Sequence, residues 1–430
     1  MSAEVKDVHA DGIRDAAALG YPKMVTLGVQ HTFTMFGATV LVPIITGMNS
    51  SVALFMAGVG TIMFHLITKG KVPAFLGSSF AFIAPTIAVA STYGAQGTPE
   101  YAAGLAYAQG GIVVAGLLYL ILAGLIAAFG VEKILKFFPP VVTGPIIMVI
   151  GLKLAPVAID MAKANWTLAI IALIIVTVVN VFGKGFLKVI PVLCGLIGGY
   201  LAALALGAVD FTPLTNVQAG MAAGEIGLFQ FPKFMMAKFE LGAIMTVAPL
   251  ALATMVEHVG DVLAIGATCE RDYARDPGLF RTLTGDGLAT ALSAMFGGPA
   301  NTTYSENTGV LAITRVWDPR VMQIAACFAI LLGCTPYLGA FIATIPTGVI
   351  GGISMILFGM IASIGVRTVV ENNVDFTLSR NLIISAVILV LGLGGASLPI
   401  FGASIEGMAL GAIAGIIMNV ILPGKHEGKY

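Results

Sequence analysis

Charge is the scarcest property of this 430-residue chain: Asp, Glu, Lys and Arg make up 10% of it, against roughly 25% in an ordinary soluble domain. The 22 Lys and Arg are matched by 22 Asp and Glu, so the formal net charge is zero. That balance excludes a basic surface for nucleic acid and an acidic solvating tail. Cysteine is rare too. Cys194, Cys269, Cys327 and Cys334 form no Cys-x-x-Cys pair, which argues against a disulfide framework or a zinc site and leaves them as reduced packing residues. No P-loop, His-Glu-x-x-His or Gly-x-Ser-x-Gly occurs, and no nucleophile, base and orienting group stand together. An enzyme, a metal centre and a bound cofactor are therefore not expected. The first 23 residues carry Glu4, Lys6, Asp7, Asp11, Arg14, Asp15 and Lys23, too polar for a cleavable signal peptide, and read as a cytoplasmic tail.

What the chain does have is apolar sequence, 58% of it, with a mean hydropathy of +0.97, which excludes a water-soluble globule. A spanning helix needs about 20 apolar residues to cross about 30 Å of hydrocarbon. Fourteen such segments can be marked: 24–48, 51–68, 72–91, 105–128, 139–159, 166–183 and 187–207 in the first half, then 240–264, 284–297, 301–314, 321–338, 341–365, 381–397 and 404–422. Segments 284–297 and 301–314 are too short to span, and Pro73, Gly77 and Pro85 interrupt 72–91. Interrupted helices are tolerated in a bilayer where protein lines them. With fourteen crossings, one face collects 18 of the 22 Lys and Arg, the other only Lys163, Lys233 and Lys238, and Lys153 falls within a span. The richer face is cytoplasmic, which places both termini inside.

The two halves echo each other. Gln30-His31 in the first span and Glu257-His258 in the eighth are 227 residues apart, and Ser78-Ser79-Phe80 and Tyr304-Ser305-Glu306 are 226 apart. Seven spans per repeat makes the second copy inverted, the plan of secondary transporters, whose substrate sits near the midplane at interrupted helices.

Ionisable groups near a bilayer centre are costly and usually mark a site. Glu257 and Asp261 lie one helical turn apart on the eighth span and so share a face, while Glu306 and Asn307 follow the break at Pro299. Glu257, Asp261 and Glu306 are the candidates for a reversible proton carrier. The alternative for Asp261 is a place beside a water-filled vestibule or a pair with Lys153. His31, His258, Asn307 and Ser79 are supporting candidates one layer behind. Chain that precedes a half-helix offers unpaired N–H groups, here near Phe80 and Ser305. A planar ligand with alternating carbonyls and N–H groups fits: the N–H groups of Phe80 and Ser305 meet its carbonyls, Glu257 and Glu306 accept from its N–H groups, and aromatic rings, Tyr304 among the candidates, cover its face. Residues 208–239 read as a stretch at the outer interface with no assigned function.

At these residues the chain resembles the nucleobase and ascorbate transporter family, in particular its uracil-carrying bacterial branch, from about Pro22 to Leu422. The matches are Gln30-His31 with Met35-Phe36-Gly37-Ala38-Thr39, Gly77-Ser78-Ser79-Phe80-Ala81-Phe82, Glu257-His258-Val259-Gly260, and Glu306-Asn307-x-Gly309-x4-Thr314-Arg315. The last is similar to the family signature [QEP]-N-x-G-x4-T-[RKG]. The resemblance implies an all-α polytopic fold of fourteen segments in two inverted sevens, with short antiparallel strands in segments 3 and 10. It implies a core domain (24–128 and 240–338), a gate domain (139–207 and 341–422) and a homodimer through the gate. It further implies proton-coupled import of a nucleobase across a bacterial inner membrane, with Glu306 similar to the pyrimidine branch and uracil as the expected substrate. A xanthine, urate or broader nucleobase carrier is the nearest alternative, and an anion channel or exchanger of the same architecture a further one. The chain departs from the uracil branch at Asp261, where that branch has His, and at Ser305, where it has Gly. The first bears on which group carries the proton, the second adds a side chain beside the base.

Overall fold

A computed structural model describes residues 12–400 and 403–424, and the polar ends of the chain lie outside the described residues. The first half runs α1 (Tyr21–Thr46), α2 (Ser50–Ile67), strand β1 (Leu76–Ser78), α3 (Ile83–Ser91), α4 (Pro99–Phe129), α5 (Val131–Leu135), α6 (Pro140–Lys153), α7 (Ala155–Lys163), α8 (Trp166–Phe182) and α9 (Pro191–Ala205). After α10 (Thr212–Ala222) the second half runs α11 (Leu241–Val247), α12 (Ala251–Thr268), α13 (Leu279–Met295), β2 (Asn301–Thr303), α14 (Ser305–Thr314), α15 (Pro319–Gly333), α16 (Pro336–Ala343) and α17 (Thr347–Glu371). It closes with α18 (Ser379–Leu393), the hairpin β3 (Ser397–Ile400) and β4 (Ala403–Glu406), and α19 (Gly407–Ile421).

Among the described residues, six helices are long and apolar enough to cross a bilayer: α1, α2, α4, α6 joined to α7, α11 joined to α12, and α17. A seventh crossing results if α15 and α16, bent by 78°, count as one. The fourteen segments marked in the sequence therefore do not all appear as helices of membrane length. Helices α8, α9, α18 and α19 are apolar but have only 10–17 residues. Pro191 starts α9 late, and the β3–β4 hairpin, not anticipated, consumes the ends of 381–397 and 404–422. The stretch 284–297, read as too short to span, is the 17-residue helix α13, which begins at Leu279 after Gly278 turns the chain with φ +95°. The boundary set between 338 and 341 falls inside α16.

One apolar core runs through nearly all the helices. Leu117, Ile121 and Leu125 of α4 and Ile170, Ile174 and Val178 of α8 are exposed at helical spacing, which makes apolar outer stripes suited to lipid.

The two interrupted segments meet. In the first, Pro73 and Gly77 prevent a helix, and Pro85 is tolerated in the first turn of α3, where its N–H would be unpaired anyway. In the second, Gly297 takes φ +92° at the end of α13, and Pro299 keeps the chain extended. Strands β1 and β2 pair antiparallel with Leu76 opposite Thr303, Gly77 opposite Thr302 and Ser78 opposite Asn301. Each is pinned by the helix before it. Thr61 of α2 donates to Leu76 O at 3.2 Å and accepts from Leu76 N at 2.9 Å; Thr290 of α13 donates to Asn301 O at 2.8 Å and Ser293 to Pro299 O at 2.6 Å. These bonds satisfy backbone groups that have no helix to serve them and no water within the bilayer.

The first described residues form a strap. Ile13 N donates to Arg315 O at 2.7 Å, and Trp317 N to Ile13 O at 2.8 Å. Ala16 N donates to Asp318 Oδ2 at 2.7 Å. Arg14 lies 5.1 Å over the Trp317 ring and reaches Cys269 O at 3.1 Å; Arg320 pairs with Asp15 and, at 2.6 Å, with Asp318. The segment thus ties the ends of α12, α14 and α15 together. All four cysteines are free, with Cys269 buried and Cys327 exposed.

Candidate functional site

The paired strands fix where the two breaks open. Beyond β1, Ser79 N donates to Ala300 O at 2.8 Å, which continues the pairing one residue further and delivers Phe80 to the end of the sheet. Beyond β2, Tyr304 leads into α14. Ser305 is the first residue of that helix and Glu306 the second, so both N–H groups belong to a turn with no intrahelical acceptors. Ser305 is exposed, and Phe80, Glu257, Asp261 and Glu306 are half-buried. Helix α12 supplies the remaining acids from one face. Glu257 is within electrostatic reach of Asp261 and Glu306, and Asp261 accepts from Thr303 Oγ1 at 2.8 Å and Ser305 Oγ at 3.0 Å. The Phe80 ring meets Phe358 of α17 edge to face at 6.2 Å.

This arrangement puts Glu257, Asp261, Ser305 and Glu306 in one cluster, with Phe80 at the end of the adjoining strand pair. The other candidates lie behind it. Tyr304 is 4% exposed; its ring packs on Gly77, and its hydroxyl donates to Ser78 O at 3.0 Å and accepts from Thr39 at 3.3 Å. It supports the strand pair and presents no open face. Asn307 Nδ2 lies 3.0 Å from His31 Nδ1 and donates to His31 O at 3.2 Å, joining α14 to α1. Ser79 is buried.

His258 points to a residue that the sequence reading missed. Its Nδ1 is 3.4 Å from Asp286 Oδ2, and both side chains are fully buried. Asp286 sits on α13 between Gly285, which packs on Phe64, and Gly287, which packs on Tyr119 and the backbone of Gly116. The glycines bring α13 close to α2 and α4 and seal the carboxylate. The available signal was an Asp within an apolar segment flanked by two glycines. Among the described residues no three His, Cys, Asp or Glu side chains form a group able to hold a metal ion.

Chemically, the site offers hydrogen-bond donors at two chain breaks, three carboxylates and an aromatic ring. The chain's likeness to known proteins agrees in kind. The family described as Permease family matches residues 22–401. "Uracil permease" of Bacillus caldolyticus is 44% identical over 96% of this chain and 95% of its own length. "Uracil permease" of Bacillus subtilis (strain 168) is 42% identical over 94% and 93%, and that of Escherichia coli (strain K12) 39% over 92% and 90%. Two solved structures share the fold. The transmembrane domain of the cyanobacterial bicarbonate transporter BicA has a TM-score of 0.62 and 16% identity over 95% of this chain and 99% of its own. SLC26A9 has a TM-score of 0.67 and 11% identity over 93% and 65%.

Proposed function

Because the chain belongs to the permease family, as a nucleobase and ascorbate transporter, we propose that it imports uracil together with protons across a bacterial inner membrane. The observation that carries this reading is the convergence of Glu257 and Glu306 on two chain breaks joined by the β1–β2 pair. Uracil alternates carbonyl and N–H groups around one flat ring. Its carbonyls take the N–H groups of Phe80 and Ser305, its own N–H groups donate to Glu257 and Glu306, and the Phe80 ring lies against its face. Tyr304 contributes from behind by holding the strands. The names of the relatives support uracil over a purine.

The coupling proton belongs to the cluster of Glu257, Asp261 and Glu306. Loading it reduces the charge buried beside the substrate, and its release on the cytoplasmic side resets the carrier. The architecture proposed is fourteen segments in two inverted sevens. Its support is that α2, β1, α3 and α4 recur in order as α13, β2, α14 and α15, each strand pinned by a threonine of the preceding helix. Core segments 24–128 and 240–338 then move against gate segments 139–207 and 341–422, the gate carries the dimer contact, and both termini are cytoplasmic. The chain is a transporter rather than an enzyme. The fold neighbours include a bicarbonate transporter, but an anion carrier calls for basic groups at the breaks, where this chain has carboxylates. Uracil uptake into proteoliposomes tests the proposal: an imposed inward proton gradient is expected to accelerate accumulation. Uptake indifferent to that gradient overturns the coupling, and absence of uptake overturns the substrate.

A further inference from the structure

The hydrogen bonds of Asp261 differ in kind from those of its two acidic neighbours. One carboxylate oxygen accepts from Thr303 Oγ1 at 2.8 Å and the other from Ser305 Oγ at 3.0 Å. Those donors stand on either side of Tyr304, one closing β2 and the other opening α14, so Asp261 spans the point where strand gives way to helix. Tyr304, at the N-cap position, makes no side-chain cap hydrogen bond. The start of α14 is therefore held from outside its own chain segment, by α12. Among the described residues, no side chain donates a hydrogen bond to Glu257, one turn earlier on α12, or to the Glu306 carboxylate.

We infer that Asp261, Thr303 and Ser305 form a side-chain clamp that fixes the first turn of α14 to α12, and that Asp261 is thereby a positioning residue for the Ser305 N–H and the Glu306 carboxylate. The groups that face it are Glu257 and His258 on its own helix, Asp286 from α13 and Tyr119 from α4. None of them donates to it, so the two hydroxyls are its hydrogen-bond partners. Each bond has a charged acceptor and is correspondingly strong. The clamp divides the acidic cluster: Asp261 holds the site in shape, and Glu257 and Glu306 are left to the ligand. In its consequence for transport, the inference rests on the reading of this cluster as a uracil site.

The test combines uptake kinetics with ligand-free stability. Asp261→Ala is expected to raise the KM for uracil about tenfold, the equivalent of roughly one charge-assisted hydrogen bond. Asp261→Asn recovers most of that loss, since the amide accepts from one hydroxyl and donates to the other. Ser305→Gly raises KM alone and adds nothing in the Asp261→Ala background. The unfolding temperatures without ligand follow the same pattern, with Asp261→Ala equal to the Asp261→Ala/Ser305→Gly double variant. If Asp261→Ala does not fold, Ser305→Gly is compared in the parent and in Asp261→Asn, where equal losses are expected. Asp261→Asn no better than Asp261→Ala, or full additivity with Ser305→Gly, overturns the clamp. A parent chain that takes up no uracil defeats the proposed function instead, and the ligand-free cycle still decides the clamp.

Discussion

Replacing Gly77 by alanine is the sharpest perturbation of the strand pair. Gly77 faces Thr302 in the centre of β1, and the hydroxyl oxygen of Tyr304 lies 2.8 Å from where an alanine Cβ would stand, with two ring carbons closer still. Ordinary contact is about 3.5–4.0 Å between carbons, so the ring must retreat. It has little room: it is 4% exposed and its hydroxyl is bonded to Ser78 O and Thr39. Overpacking of this kind costs about 1–3 kcal/mol, and a weakened buried hydrogen bond adds about 1 kcal/mol. The disturbance passes along the chain to Ser305 and Glu306, the next two residues. Gly77→Ala should therefore lose about 2–4 kcal/mol of stability and bind uracil at least about tenfold more weakly. Thermal unfolding in detergent, with and without uracil, reads both effects. Shortening the ring relieves the clash, so Gly77→Ala in a Tyr304→Ala background should cost less than in the parent. Parental stability and affinity in Gly77→Ala, or strict additivity of the pair, would refute the reasoning.

Two further perturbations follow from the same packing. His258→Ala leaves the fully buried Asp286 carboxyl without the imidazole beside it and should cost about 1–3 kcal/mol, visible as a lower unfolding temperature in the absence of any ligand; parental stability would contradict the pairing. At the strap, burial alone would raise the Asp318 carboxyl, but hydrogen bonds from Arg320 and the N–H groups of Ala16 and Arg320 outweigh it and hold it below its ordinary value. A group depressed in the folded state contributes stability above its unfolded value, and that contribution is lost as pH falls through the lower folded one. The parent should therefore lose strap stability as pH drops below about 4, whereas Asp318→Asn should lack that step in a stability-against-pH series; identical profiles would exclude the contribution.

The breaks were legible because proline and glycine punctuate an apolar run in only a few ways. Pro73, Gly77, Pro85 and Pro299 marked the interruptions, and Glu257, Asp261 and Glu306 stood out because carboxylates are rare in such surroundings. Their supports were not legible. Thr61, Thr290 and Ser293 resemble any small polar residue of a membrane helix until the backbone atoms they serve are located. Tyr304 looked like a ring for the ligand face, yet its ring packs on Gly77, beneath the strands. Asp286 escaped because its segment was marked as beginning at residue 284, so that the carboxylate fell at an apparent end rather than inside α13. The strap joins residues about 300 apart in sequence, a pairing that no local pattern encodes. The short apolar helices α8, α9, α18 and α19 satisfy composition without reaching the length that composition suggested.

In the proposed site Glu257 and Glu306 grip a flat heterocycle between the two breaks. Equilibrium binding of labelled uracil to the purified chain, its Glu257→Gln variant and its Glu306→Gln variant tests this most directly. Each substitution turns one acceptor face partly into a donor and should weaken binding by about 1–3 kcal/mol or more. Equal affinity in all three, or no binding by the parent, would contradict the account.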